Sequence, residues 1–206
     1  MIDNAFRSWV PRFAGPLLTL YTRLGWTPNH VSALGFAIAL GASLSVALGY
    51  EWVALTLWWV SRVADGTDGV LARELHMESD FGAYLDIVLD MAAYGAMVLG
   101  FAYSHSEAWP ELGWQWMWML FLYVLCIASA LALGMQEAKR SLPERDNRGL
   151  RLGAGLAEGG ETGIAYSLFL LFPNYLGVLS WVWVGVLAVT VVARTILAAR
   201  LLAEEA

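Results

Sequence analysis

"DGTDGVLARELHMESDFGAYLDIVLD", residues 65–90, sets Asp65, Asp68, Asp86 and Asp90 and a single arginine, Arg73, inside an otherwise oily chain. Asp65 and Asp68 are three residues apart and Asp86 and Asp90 four apart, so on helices each pair lies along one face. Carboxylates that close repel one another unless something positive bridges them. A turn centred near Met77 puts Asp68 nine residues before it and Asp86 nine after, with Asp65 twelve before and Asp90 thirteen after. At about 1.5 Å rise per residue, both pairs sit roughly 13 to 20 Å from the turn, at matching depth on two antiparallel helices. Hard oxygen donors with no His or Cys cluster beside them favour Mg²⁺, Mn²⁺ or Ca²⁺ over zinc or copper. Four carboxylates suffice for two divalent ions, an arrangement that clamps phosphoryl oxygens during displacement reactions. Gly66, Gly69 and Gly82 leave room for a ligand or a second backbone. Arg73, five residues beyond Asp68, either snorkels to lipid headgroups or contacts phosphate, and beside such a site the second reading is preferred.

Outward from this stretch, the chain is that of an integral membrane protein. Of its 206 residues 59% are hydrophobic and eleven are tryptophan, well above the apolar share of a soluble domain. Apolar stretches of spanning length run over 31–50, 52–74, 80–103, 113–135, 160–178 and 179–202, which predicts an all-α fold of six transmembrane helices. The division between the fifth and sixth rests only on "FPNYLG". Charge placement agrees with the count. With an inside N-terminus, Arg7, Arg12, Arg23, Arg62 and Arg73, the run from Lys139 to Arg151, and Arg194 and Arg200 all fall on one side. Both termini and the entrance to the acidic cluster are therefore expected on the cytoplasmic face. Residues 1–26, where basic and apolar positions interleave, are expected to form an interfacial helix, and no cleavable signal peptide is expected. The domain reading is a single unit over 1–206, with residues 31–202 as the six-helix bundle. Cys126 reads as a small buried apolar residue, and nothing in the sequence suggests nucleic-acid binding.

Read as Asp65-x-x-Asp68-Gly69-x-x-Ala72-Arg73, eight further residues, then Gly82-x-x-x-Asp86-x-x-x-Asp90, the opening stretch resembles the signature of the CDP-alcohol phosphotransferases. The six spans, the N-terminal interfacial helix and "TPNHVS" (27–32) before the first span are similar to that family as well. The resemblance implies metal-dependent transfer of a substituted phosphate from a CDP-linked donor to an alcohol, with release of CMP, in phospholipid synthesis. It implies that Asp65, Asp68 and Asp86 bind two metal ions, Mg²⁺ or Mn²⁺, with Asp90 a ligand of the second and also the general base. It further implies that Gly69, Ala72, Arg73 and Gly82 meet the nucleotide or its pyrophosphate, helped by Ser79 and by Pro28, Asn29, His30 and Val31. A homodimer in a bacterial inner membrane is the expected assembly and location.

The donor is expected to be CDP-diacylglycerol, with a CDP-choline or CDP-ethanolamine donor and a lipid alcohol acceptor as the alternative. A phosphorylated acceptor is disfavoured, because no Lys or Arg lies between Arg151 and Arg194. Glu158 and Glu161 read equally well as a loop charge and a helix-dipole charge, or as groups that bind an acceptor's amine or hydroxyl. The basic loop before them reads as a patch touching anionic lipid. Outside enzymes, the rival is a cation channel or transporter using the aspartates as an ion path, but no second acidic cluster on the outer half completes such a path.

Overall fold

The computed structural model describes residues 14–139 and 159–203, and among these the chain is all helix and turn. A helix over residues 14–23 (α1) is followed by α2 (Pro28–Ala47), α3 (Glu51–Leu75), α4 (Asp80–Ser104), α5 (Trp109–Lys139), α6 (Gly159–Leu171) and α7 (Leu176–Ala203). Short 3₁₀ turns precede α5 and α7. Four helical segments are long and apolar enough to cross a membrane: Pro28–Ala47, Asp80–Ser104, Gly113–Lys139 and Pro173–Ala203. The charges on α3 and the 13 residues of α6 keep those two outside that group. The expected fifth stretch over 160–178 is corrected in its bounds. Proline has no N–H to continue the helix and pushes its predecessor out of the helical region, so α6 ends at Leu171 and Phe172 stands at φ −128°, ψ 59° before Pro173.

Local chemistry explains the starts and stops that place the acidic stretch. Pro28 opens α2, where its missing N–H costs nothing. The Thr27 N–H donates to His30 Nδ1 at 3.2 Å and closes that helix end. Helix α3 stops at His76, which takes a left-handed conformation (φ 51°), and Ser79 caps α4 by accepting from the Gly82 N–H at 3.0 Å. Only residues 76–79 separate the two helices.

Helix α2 packs against both α3 and α4, α5 against α4 and α7, and α6 joins α3 to α7. Lipid tails are as apolar as leucine, so such helices hold together by close packing and interhelical hydrogen bonds more than by the hydrophobic effect. Both devices are present. Gly100 on α4 lies so near Ser43 that an added Cβ would stand 2.5 Å from the Ser43 carbonyl oxygen. The Ser43 hydroxyl in turn donates to the Ala96 carbonyl. The main core gathers Trp58, Tyr94, Met97, Phe101, Trp116, Met119, Tyr166, Phe169 and Leu187. A second, smaller core seats Ala14, Leu18 and Tyr21 of α1 on Val31, Ala64, Val70 and Leu71. Of the expected N-terminal interfacial helix, residues 1–13 lie outside the described residues.

Candidate metal centre on helices α3 and α4

Asp65, Asp68 and Asp86 each bring a carboxylate oxygen to within 4.8 Å of the others, across the α3–α4 pair. Of the four residues that the register argument sets at matching depth, three meet here. A donor set of three carboxylates is hard, anionic and all oxygen, the kind that suits a divalent cation such as Mg²⁺ or Mn²⁺. Asp68 is the most enclosed of the three, 6% exposed, and its Oδ2 accepts from the Ser32 hydroxyl on α2. Two helices, α2 and α3, therefore fix the position of this carboxylate.

Asp90 stands apart from that trio. Its Oδ1 accepts from Arg62 Nη1 at 2.5 Å, and its Oδ2 from the Tyr94 hydroxyl at 3.2 Å. The same guanidinium lies 3.6 Å from Asp65 Oδ2. Arg62 is itself 6% exposed and lies against two adjoining rings, with its guanidinium carbon 4.7 Å from the Trp58 ring centre and 5.4 Å from that of Tyr94. Taking such a cation out of water costs several kcal/mol, and only well-aligned opposite charge offsets that cost. From sequence alone Arg62 reads as one more charge on the basic side of the membrane, and the structure adds this pairing. The available signal was its spacing, three residues before Asp65 on the same helical face.

The remaining expected residues divide by position. Arg73, exposed at the end of α3, folds back along its own helix until its Nη1 is 3.5 Å from where a Cβ on Gly69 would stand. Gly82 sits in the first turn of α4, where a Cβ would meet Ser79 Oγ at 3.2 Å and Asn29 Oδ1 at 3.4 Å. That contact brings the beginning of α2 against the beginning of α4. Ser79 and His30 act locally as helix caps, Pro28 opens α2, and Val31 is fully buried in the second core, with no side-chain surface to offer a ligand. Ala72 is half-buried beside Arg73. Glu161 lies in the first turn of α6, the helix tied to α3 by the Trp59 Nε1 donation to Ser167 Oγ at 2.9 Å. Glu158 falls outside the described residues.

Beyond the carboxylates, a chain of neutral polar groups crosses the bundle. Tyr166 donates to the Tyr94 carbonyl at 3.0 Å and lies 2.9 Å from the Tyr123 hydroxyl, which accepts from Trp183 Nε1 at 2.9 Å. Helices α4, α5, α6 and α7 are thereby joined next to Asp90.

With this geometry in hand, comparison with known proteins is direct. The family model for CDP-alcohol phosphatidyltransferase matches residues 26–192. The Escherichia coli inner membrane protein YnjF is 32% identical over 94% of this chain and 100% of its own length. The archaetidylinositol phosphate synthase of Pyrococcus horikoshii is 34% identical, over 42% of this chain and 46% of the synthase. Among solved structures, the Mycobacterium tuberculosis phosphatidylinositol phosphate synthase with CDP-DAG bound superposes with a TM-score of 0.65 at 22% identity, covering 91% of this chain and 94% of that one. The same synthase in complex with manganese and citrate gives a TM-score of 0.63. These structural likenesses establish a shared fold.

Proposed function

The chain belongs to the CDP-alcohol phosphatidyltransferase family, and from that premise we propose that it transfers a phosphatidyl group from CDP-diacylglycerol to the hydroxyl of an alcohol, releasing CMP. The observation that carries this reading is the meeting of Asp65, Asp68 and Asp86 within 4.8 Å, with Arg73 drawn over Gly69 one turn away. Divalent cations held by these three carboxylates, and by Asp90 for a second ion, would neutralise charge developing on the departing CMP when bound. Asp90 takes the proton from the acceptor hydroxyl as its oxygen attacks the β-phosphorus. The new bond joins that oxygen to phosphorus, and the bond from phosphorus to the CMP oxygen breaks. Each oxygen of Asp90 keeps a lone pair beyond the one engaged by Arg62 or Tyr94, which leaves room for the incoming proton. Arg73 and Gly69 meet the pyrophosphate, the first by charge and the second by leaving its backbone open, with Ala72, Gly82 and Asn29 around the nucleotide.

The acceptor in this proposal is an uncharged or amine-bearing alcohol, since α6 contributes Glu161 and no basic residue. A CDP-DAG complex is named for the structural neighbour, and this supports the choice of donor here. The working form is proposed as one unit over 1–206, a homodimer with six spans in a bacterial inner membrane and the site facing the cytoplasm. The test is CMP release by purified protein with Mg²⁺ or Mn²⁺, offering CDP-diacylglycerol, CDP-choline and CDP-ethanolamine separately against small and lipid alcohols. Release dependent on Asp90 with one donor–acceptor pair establishes the reaction and names both substrates. No release with any pair from folded, metal-binding protein overturns it.

A further inference from the structure

Arg62 is buried, lies against the adjoining rings of Trp58 and Tyr94, and is fixed to Asp90 and Asp65 at 2.5 and 3.6 Å. It thereby bridges the fourth carboxylate, Asp90, and one member of the three-carboxylate group, Asp65. A guanidinium is permanently charged and bonds a carboxylate through a rigid fork, so it cannot clear the site by losing a proton. We propose that Arg62 stands in for the second cation in the resting protein, limiting the acidic site to one tightly bound divalent ion and positioning Asp90 until a CDP-linked donor brings its own negative charge. The inference rests on the metal-centre reading given above.

The physical basis is charge balance. Four carboxylates attract two divalent ions, but Arg62 already cancels one negative charge and repels a second ion at close range. Even with full solvent screening, repulsion between a unit charge and a divalent ion about 5 Å apart weakens binding on the order of tenfold. A donor pyrophosphate restores the missing negative charge. Arg62 is thus a positioning residue for Asp90, and it sets how many ions the empty site takes.

The experiment is a count of bound Mn²⁺ on purified protein without donor, from the electron paramagnetic resonance signal of the free ion during titration. Wild type is expected to bind one Mn²⁺ tightly and a second about tenfold or more weakly. Arg62→Gln, which keeps polar contacts but removes the charge, is expected to bind two with similar affinity, whereas Arg62→Lys stays at one. Two equally tight ions in wild type overturn the proposal whether or not any variant folds, and an unchanged count in folded Arg62→Gln does so too. No bound Mn²⁺ in any form overturns the metal-centre reading along with it, an outcome distinct from two ions.

Discussion

Two polar regions lie side by side in this apolar bundle, and they are built on opposite terms. The tyrosine chain from Tyr94 through Tyr166 and Tyr123 to Trp183 is neutral, and its members pair with one another across four helices. The carboxylate region on α3 and α4 is charged, and Arg62 pairs there with Asp65 and Asp90. Neutral groups that find partners inside the fold act as glue between helices. Ionisable groups inside such a bundle are costly and mark candidate functional sites. The contrast separates residues that hold the bundle together from residues proposed to do its chemistry, although only one residue, Tyr94, divides them.

The largest expected effect falls on the charged side. Asp90→Asn removes the proposed base and should lower CMP release by about 10²- to 10⁴-fold while CDP-diacylglycerol still binds, as checked by single-turnover assay and equilibrium binding. Retained turnover would move Asp90 out of the chemistry. Ser32→Ala leaves Asp68 without its hydroxyl donor and should weaken Mn²⁺ affinity about 10- to 100-fold, the usual cost of losing a group that orients a metal ligand. Calorimetric titration with Mn²⁺ reads it directly. On the neutral side the effects move to stability. Gly100→Ala forces a methyl group against the Ser43 carbonyl and should cost about 1 to 3 kcal/mol of stability, seen as a lower melting temperature in detergent. Tyr166→Phe, the mildest, should cost about 0.6 to 2 kcal/mol and leave the Mn²⁺ count unchanged. A change in that count would erase the boundary between the two regions.

The acids were legible because helical spacing and a short turn fix relative depth without any knowledge of tertiary contacts. Arg62 was hidden by a competing explanation: basic residues on one side of a membrane protein already have a reason to be there. Ser32 and Tyr94 were hidden for another reason, since a hydroxyl at the start of a span and a tyrosine in one are both commonplace, and only the packing of α2 on α3 gives Ser32 its partner. The break after Leu171 was available in principle from Pro173, yet the apolar run on both sides masked it. The tyrosine chain lies beyond sequence reading altogether, because its hydrogen-bonded pairs are 43 or more residues apart along the chain and meet only in the folded bundle.

The four residues from His76 to Ser79, exposed at a helix–helix junction and polar apart from Met77, resemble the kind of loop into which an epitope tag or reporter would be spliced. Here that choice would be a poor one. The turn acts as a gear between two shafts: each residue added to α4 at its beginning turns the helix by about 100° and slides it about 1.5 Å. A single inserted residue taken up that way swings Asp86 off the face it shares with Asp65 and Asp68. The segment tolerates changes of composition far better than changes of length.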